Sequence, residues 1–271
     1  MPPTARPRPP SVAERLRFRG GGFVIQRKRH AGWIAGLVII AVWQACSSLG
    51  WASPVFLPSP AGIARALASL ALSGQLARDV SASLARILVG FSLGASAGLA
   101  IGLALGLVSH ARAAGLPIVS ALFPIPKIAL LPLFILWFGI GEPSKWATIG
   151  LGVFFPMAIA TYSGVDQVPR TLIRMAQSFD VPIAAIVCKV ILPGALPGIL
   201  AGVRISASIA LILVVAAEMI AAEHGIGAFI LTAGNLMRTE DLLAGVCVLS
   251  ALGLTVGWAV SLSERRLLAW R

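Results

Sequence analysis

Long stretches without charged residues constrain this chain more than any other feature of its sequence. A membrane-spanning helix needs about 20 mostly apolar residues, and six such stretches follow one another here, of which the third contains Lys127 and the fifth contains Arg204 and Glu218. Each is a continuous apolar run without strict alternation, which favours helices over the strands of a membrane barrel. The predicted spans lie at about 31–50, 86–108, 114–138, 146–165, 197–220 and 242–262.

The composition supports the same class of protein. Of the 271 residues, 58% are hydrophobic and only 12% are charged, and the mean hydropathy is +0.90. A soluble domain has about a quarter of its residues charged, so a soluble enzyme is excluded. Three widely spaced cysteines, Cys46, Cys188 and Cys247, indicate neither a disulfide framework nor a metal site. The predicted fold class is therefore an all-α integral membrane protein with six transmembrane helices.

The first 30 residues differ from the rest of the chain. They contain five prolines, eight lysines or arginines and one acid, Glu14, which predicts a flexible basic tail ahead of the membrane domain. A cleaved signal peptide is the alternative interpretation. The first apolar run is long for a signal sequence, and Trp33, Trp43 and Trp51 do not suit a cleavage site. We therefore expect an uncleaved first span.

The net charge of +12 indicates orientation. In a soluble protein it would suggest nucleic acid, but in a membrane protein lysines and arginines accumulate on the cytoplasmic side. With the N-terminus inside, the cytoplasmic segments hold 15 lysines or arginines and the outer segments hold four. We expect a multi-pass protein of the cell inner membrane, with both termini cytoplasmic, residues 266–271 as the C-terminal end, and no nucleic-acid partner.

A regular row of glycines marks the second span. Five glycines at four-residue spacing lie close to one helical stripe, and small residues on such a stripe let another helix approach closely. The stripe serves packing inside one subunit or, alternatively, a helix that slides against its neighbour during transport. The five residues are Gly90, Gly94, Gly98, Gly102 and Gly106.

Ionisable residues within the spans are candidates for a translocation pathway. Lys127 lies in the third span beside Pro124, Pro126 and Pro132, which interrupt the helical hydrogen bonds. Snorkelling of Lys127 to the cytoplasmic interface is the alternative.

The fifth span contains two further pathway candidates, Arg204 and Glu218. They are separated by about 21 Å of helix axis at 1.5 Å per residue, so they cannot pair with each other.

The segment 168–195 between the fourth and fifth spans has its own amphipathic pattern. Apolar residues recur at helical spacing, with arginines and other polar residues between them, while Pro169 can open a helix and Pro182 can re-aim it. Such a helix lies on lipid or docks into a groove of a partner protein. The apolar positions are Leu172, Met175, Ala176, Phe179, Ile183, Ile186, Val187 and Val190.

Sequence patterns for catalysis are missing from the chain. It contains no phosphate-binding loop of the GxxxxGK[ST] type and no HExxH metal motif, and its three histidines are far apart. We expect no catalytic residues, no metal and no cofactor in this chain, and we do not expect it to be an enzyme.

Several motifs together resemble the binding-protein-dependent ABC transporter permeases. Residues 168–180 and 190–204 are similar to the cytoplasmic coupling motif of that family. Four further stretches are similar, more narrowly, to the nitrate, sulfonate and taurine branch. The resemblance covers about residues 33–265, and the four stretches are Ser83–Phe91, Pro126–Leu133, Trp137–Glu142 and Val215–Met219.

The resemblance implies a type I ABC importer permease. Residues 31–265 would form a six-helix permease domain with a cytoplasmic coupling helix that contacts an ABC ATPase subunit. The implied partners are two ATPase copies, which would hold ATP and Mg²⁺, a soluble binding protein outside and a second permease copy. The implied ATPase-coupling residues are Leu172, Arg174, Met175, Ala176, Ser178, Phe179, Asp180 and Val187.

The coupling motif departs from the family pattern at two places. Arg174, Met175 and Ala176 stand where the family has Glu-Ala-Ala, and Asp180 stands where it has glycine. The reversed charge at position 174 implies that the partner ATPase has changed to suit or that coupling is weakened. Asp tolerates a positive φ better than most residues, so we expect the turn to survive.

The sequence predicts a permease of an ATP-driven importer for a small anionic solute, moved by alternating access. A secondary transporter is the first alternative, although no repeat relates 31–138 to 146–262 and such repeats are frequent in that class. A non-transporting membrane assembly protein and a permease relic are the others.

Overall fold

The computed structural model describes residues 31–51, 53 and 55–270, and every regular element within them is helical. The predicted tail, residues 1–30, lies outside this part of the chain. The elements are α1 (Ala31–Ser48), α2 (Pro60–Leu72), α3 (Gln75–Leu107), α4 (Ser109–Leu122), a 3₁₀ turn (Lys127–Leu130), α5 (Leu131–Phe138), α6 (Glu142–Asp166), α7 (Arg170–Ser178), α8 (Ile183–Ile186), a π-helical turn (Val187–Ile191), α9 (Leu192–Ala221), α10 (Ile226–Asn235) and α11 (Thr239–Leu267).

The described residues fall into two units, one ending at residue 53 and the other beginning at residue 55. The described helix of the first unit is α1, an apolar helix without a charged residue. The second unit contains α2 to α11 and all the candidate site residues.

Four helical segments of the described chain are long and apolar enough to cross a membrane. They are α3, α6, the continuous stretch Ile183–Ala221 and α11. The pair formed by α4 and Lys127–Phe138 gives a fifth crossing if it is counted as one broken span. The apolar part of α1, Gly32–Ser48, is shorter than these, so a total of six spans stays a prediction.

The third predicted span, 114–138, is two helical pieces rather than one helix. The pieces meet at an angle of 88°. Pro124 and Pro126 lie at the break, where each removes a backbone donor and blocks the α-helical path. Pro132 instead lies in the first turn of α5, where proline is tolerated because that N–H needs no helical partner.

Helix α3 begins at Gln75, well before the span predicted from 86. Asp79 and Arg86 lie within its first turns and both side chains are buried. Each has hydrogen-bond partners from other elements, so neither charge ends the helix. The helix therefore extends beyond the predicted span at its N-terminal end.

The core of the second unit is formed by α3, α6 and α9, with α6 in contact with both of the others. The glycine stripe of α3 lies against α6. A methyl group built on Gly98 would lie 2.6 Å from the Phe154 carbonyl oxygen, and one on Gly102 would lie 2.6 Å from that of Ala158. Since backbone cannot give way easily, the absent side chains allow the two helices to touch.

The other face of α6 meets α9 in the same way. A methyl group on Gly198 would lie 2.7 Å from the Cα of Gly164, and one on Gly202 would lie 2.6 Å from the Cβ of Ala160. Helix α6 is thus held between two close helix contacts.

Candidate functional site

The loop segment between α6 and α9 carries an exposed apolar surface. Leu172 and Met175 are about half exposed, Phe179 is 75% exposed and Ile183 is 78% exposed. Their spacing places Leu172, Met175 and Phe179 on one side of α7. We call these four residues the coupling surface, after the role that the family resemblance implies for this segment. An apolar row in this position is typical of a surface that a partner covers.

The opposite side of α7 packs on the body of the protein. Ile173 and Ala176 contact a buried cluster that includes Val168, Ile186 and Ala195. Val187, in the π-helical turn, packs against the same cluster. The coupling surface is therefore supported from behind by the α6–α9 core.

Asp180 turns the chain at the end of α7. Its φ is +54°, the left-handed region that normally favours glycine. The amide of Val181 donates to the Ala176 carbonyl at 3.2 Å and the amide of Asp180 donates to the Gln177 carbonyl at 3.0 Å, a pattern that closes a helix C-terminus. Asp180 therefore forms the turn, as expected from the sequence.

The remaining predicted coupling residues lie around this turn. Arg174 is exposed on α7, and the Ser178 hydroxyl donates to the Met175 carbonyl at 2.8 Å. Ser178 therefore closes the helix end locally, while Arg174 is accessible to a partner.

Lys127 lies at the break between α4 and α5. Its ammonium donates to the carbonyl of Leu122 at 3.1 Å and also to that of Phe123. The same nitrogen is 4.5 Å from the centre of the Phe155 ring, a residue midway along α6. Lys127 thus satisfies carbonyls that the break leaves without helical partners, at about the middle of the bundle.

Arg204 points to a different partner. Its guanidinium forms an ion pair with Glu264 of α11, and the Arg204 side chain is 57% exposed. Lys127 and Arg204 are therefore not joined by a direct contact among the described interactions.

The third pathway candidate, Glu218, is completely buried. Its carboxylate accepts three kinds of donor: the Ser83 hydroxyl at 2.7 Å, the Arg86 guanidinium at 2.8 Å and the Gly227 amide at 2.9 Å. A buried carboxylate is stable only when it is paired and hydrogen-bonded in this manner.

Arg86 joins this carboxylate to a second one. Its Nε and one terminal nitrogen donate to the two oxygens of Glu142 at 2.8 and 2.7 Å, the bidentate geometry that makes arginine–carboxylate pairs strong. The buried Lys145 adds a bond of 3.1 Å to Glu142. Arg86 is only 6% exposed. Helices α3, α6 and α9 are therefore linked by one ionic network.

The network also holds the loop 222–225 that precedes α10. The Arg86 guanidinium donates to the His224 carbonyl at 2.6 Å. The amide of Gly225 donates to Asp79 at 3.0 Å and that of Ile226 donates to the Ser83 hydroxyl at 3.0 Å. The first amides of α10 are thus satisfied by side chains of α3, since Gly225 offers no cap of its own.

Gly225 is required by this arrangement. Its φ is +133°, and a methyl group built there would lie 2.5 Å from the Glu218 carboxylate carbon and 2.7 Å from an Arg86 nitrogen. Only glycine fits between the loop and the network. We call Asp79, Ser83, Arg86, Glu142, Lys145 and Glu218 the Arg86 network.

An open cavity of about 370 Å³ adjoins the network. Asp79 forms part of its wall, together with the exposed loop residues Glu223 and His224. Arg78 of α3 and Leu236, which directly follows α10, also line it. The loop therefore has an anchored backbone on one side and accessible side chains on the other.

Sequence reasoning selected Glu218 but missed its partners. A signal was present in the family-like stretches, because Ser83 and Arg86 lie in Ser83–Phe91, Glu142 ends Trp137–Glu142 and Glu218 lies in Val215–Met219. Their convergence depends on contacts between residues 56 and 132 positions apart, which spacing along the chain does not reveal.

The chain matches a known protein family over most of this unit. Residues 90–269 match the family model described as the binding-protein-dependent transport system inner membrane component. That range includes the glycine stripe, the coupling surface and Glu218.

Curated proteins with extensive similarity have related names. The chain is 39% identical to the putative aliphatic sulfonates transport permease protein SsuC of Bacillus subtilis, over 97% of this chain and 95% of that protein. It is 39% identical to the protein of the same name in Escherichia coli, over 89% and 92%. It is 37% identical to the E. coli taurine transport system permease protein TauC, over 86% of each.

Solved structures show the same fold. An inward-facing structure of the MetNI methionine ABC transporter has a TM-score of 0.64 and 22% identity, covering 72% of this chain and 97% of that one. An amino acid ABC transporter has a TM-score of 0.60 and 15% identity, covering 74% and 97%. The architecture is therefore that of ABC importer permeases.

The family description also bears on partners and place. A binding-protein-dependent system implies a binding protein and an ATPase beside the permease, and the description names an inner membrane component. The apolar helices α3, α6, α9 and α11 agree with that location. By its motifs, its fold and its relatives, this chain belongs to the family of inner membrane components of binding-protein-dependent transport systems and is a permease subunit of an ABC importer.

Proposed function

We propose that this permease moves a small anionic solute of the sulfonate class into the cell. The names of relatives that are 37–39% identical over most of the chain support this solute class. The observation that carries the energy-coupled part of the proposal is the coupling surface. Phe179 and Ile183 expose most of their side chains on a polar amphipathic segment, and a partner groove would remove that apolar area from water.

The orientation follows from placing the coupling surface in the cytoplasm. The Arg86 network lies at the end of the α6–α9 core that is remote from the coupling surface. It then lies at the outer face of the membrane. Both termini are cytoplasmic in this arrangement, and α1 supplies a span that brings the total to six, with the broken pair counted as one. The excess of lysines and arginines in the cytoplasmic segments supports the same orientation.

The partners we propose are two ATPase subunits, one outer binding protein and a second copy of this chain. ATP and Mg²⁺ would be held by the ATPase subunits, because this sequence has no phosphate-binding loop. Closure of the ATPases would be passed through α7 and the π-helical turn to α9. Single π-helical turns are frequent at functional sites.

Lys127 is the residue we assign to the solute passage. The break beside it has irregular backbone with exposed residues from 121 to 126, and such backbone at membrane depth must face protein or water rather than lipid. An ammonium group there offers positive potential to an anion in transit. Arg204 would form the passage wall together with Glu264, whereas the fully enclosed Glu218 would hold the helices in place.

A transport assay with purified partners tests the proposal. The permease, its ATPase and its binding protein are reconstituted in vesicles, and uptake of radiolabelled taurine and of an alkanesulfonate is measured with and without ATP. We expect ATP-dependent uptake in the wild type and its loss in Phe179→Asp, because a charge would be buried in the ATPase groove. Gln177→Asp adds the same charge on the polar side of α7 and should retain uptake.

Two results would contradict the proposal. Uptake that proceeds without ATP and follows an ion gradient would indicate a secondary transporter. Equal ATPase binding by wild type and Phe179→Asp, with no change in uptake, would remove the coupling surface from the mechanism.

A further inference from the structure

The stripe of α3 that carries the glycines continues toward the Arg86 network as polar residues. Asp79, Ser83 and Arg86 precede Gly90 at spacings of three or four residues, so they lie on the same face of the helix. All three are buried. One helix face thus touches α6 along its glycines and holds the loop 222–225 at its end.

The loop joins an accessible surface to a buried one. Glu223 and His224 are exposed and line the open cavity. The backbone of the loop and of the first residue of α10 is bound at three points, the His224 carbonyl and the amides of Gly225 and Ile226. A displacement of the exposed side chains is therefore transmitted through the loop backbone and these hydrogen bonds to the anchoring side chains of α3.

The anchors in turn contact the other spanning helices. Ser83 donates to Glu218 of α9, and Arg86 binds both Glu218 and Glu142 of α6. The bonds to the fully buried Glu218 resist displacement because a displaced partner would leave a buried charge unpaired. The link to α6 runs through Glu142, whose side chain is 42% exposed. A displacement of the loop is consequently shared by α3, α6 and α9.

We propose that Ser83 and Arg86 are positioning residues that pass the docking of the binding protein at the loop 222–225 to the spanning helices. The inference rests on the proposed function, which places this end of the bundle outside. The residues act through the loop and through Glu218, and they touch neither solute nor nucleotide. Docking itself would use exposed side chains that line the cavity, among them Arg78 and Leu236.

The test distinguishes docking of the binding protein from the stimulation of ATPase activity that follows docking. The complete complex is reconstituted in nanodiscs, and ATPase activity is measured as its purified binding protein is titrated. Ser83→Ala removes two hydrogen bonds without changing a charge. We expect unchanged basal activity, an unchanged half-saturating concentration of binding protein, and maximal stimulation reduced about fivefold, a size typical of altered coupling between sites.

Ser206→Ala is the matched control. Ser206 is a fully buried serine of α9 whose hydroxyl donates to the Val153 carbonyl of α6, outside the network. It should be stimulated like wild type. Arg86→Lys, which keeps the charge but not the bidentate geometry, should resemble Ser83→Ala.

A second measurement covers variants that fail to assemble. In the wild type, addition of binding protein should change amide hydrogen exchange in the loop and also in the first turns of α6. In Ser83→Ala the change in exchange should be confined to the loop.

The docking step is tested by Arg78→Glu, with Arg65→Glu on the exposed side of α2 as its control. Arg78→Glu should raise the concentration of binding protein that gives half-maximal stimulation.

Three outcomes would overturn the inference: full stimulation of both Ser83→Ala and Arg86→Lys, equal losses in Ser206→Ala, or exchange changes in α6 that are unaffected by Ser83→Ala. Failure of the proposed function is distinguishable from all three, because the wild-type complex would then show no stimulation by any binding protein.

Discussion

At the scale of single residues, Arg86 is the cation that joins the carboxylates of Glu142 and Glu218 in the Arg86 network. It compensates the buried carboxylate of Glu218 and binds Glu142 with two nitrogens. Removing one member of a buried ion pair leaves an uncompensated charge, which costs more than the intact pair contributes.

Replacing Arg86 by alanine should therefore destabilise the protein by about 3–5 kcal/mol, read as a lower melting temperature of the purified protein in detergent. Arg112→Ala is the comparison, because Arg112 forms a similar 2.9 Å pair with Asp166 on an exposed surface and solvent can replace its partner. We expect little change for Arg112→Ala. Equal melting temperatures for the two variants would contradict the assigned importance of burial.

At the scale of helices, the contact between α3 and α6 depends on missing side chains. A methyl group on Gly98 would lie within 2.6 Å of the Phe154 carbonyl. By contrast, a methyl group on Gly257 of α11 would meet no atom within 4 Å apart from its own helix backbone and chain neighbours.

Gly98→Ala should consequently cost about 1–3 kcal/mol through overpacking, whereas Gly257→Ala should be neutral or stabilise its helix by about 0.5–1 kcal/mol. Unfolding in mixed micelles of increasing denaturing detergent measures both. An unchanged free energy of unfolding for Gly98→Ala would show that α3 and α6 can move apart without loss of stability.

Much at this scale could be predicted from the sequence. The helical class, the position of the break at Pro124 and Pro126 and the packing character of the glycine stripe follow from local composition and spacing. The early start of α3 and the 88° bend do not. They depend on how Arg86 is neutralised by residues far along the chain and on how the break packs, and neither is visible in a local window.

At the scale of the whole molecule, the two ends of the core have opposite characters. One end presents the exposed apolar coupling surface, and the other presents a charged network and an open polar cavity. This polarity is what a protein needs to receive different partners on the two sides of a membrane.

The orientation is directly testable with fused reporters. A reporter placed after Arg174 should be active only in a cytoplasmic assay, and one placed after Ser144 only in an external one, because the lysine and arginine distribution favours that arrangement. A fusion after Gln167, at the same end as Arg174, should agree with the first. Reversed activities would move the coupling surface to the outside and would contradict the proposed function.

The glycine contacts of α3 also bear on how such permeases can be recombined. Because the five glycines meet carbonyls and side chains fixed in α6, the shape of one helix surface specifies the other. A chimera that takes α3 alone from a relative would have an α3 surface that does not match the α6 surface it packs against. The other face of α6 meets α9 in the same way, so α3, α6 and α9 must be exchanged together to keep every matched surface.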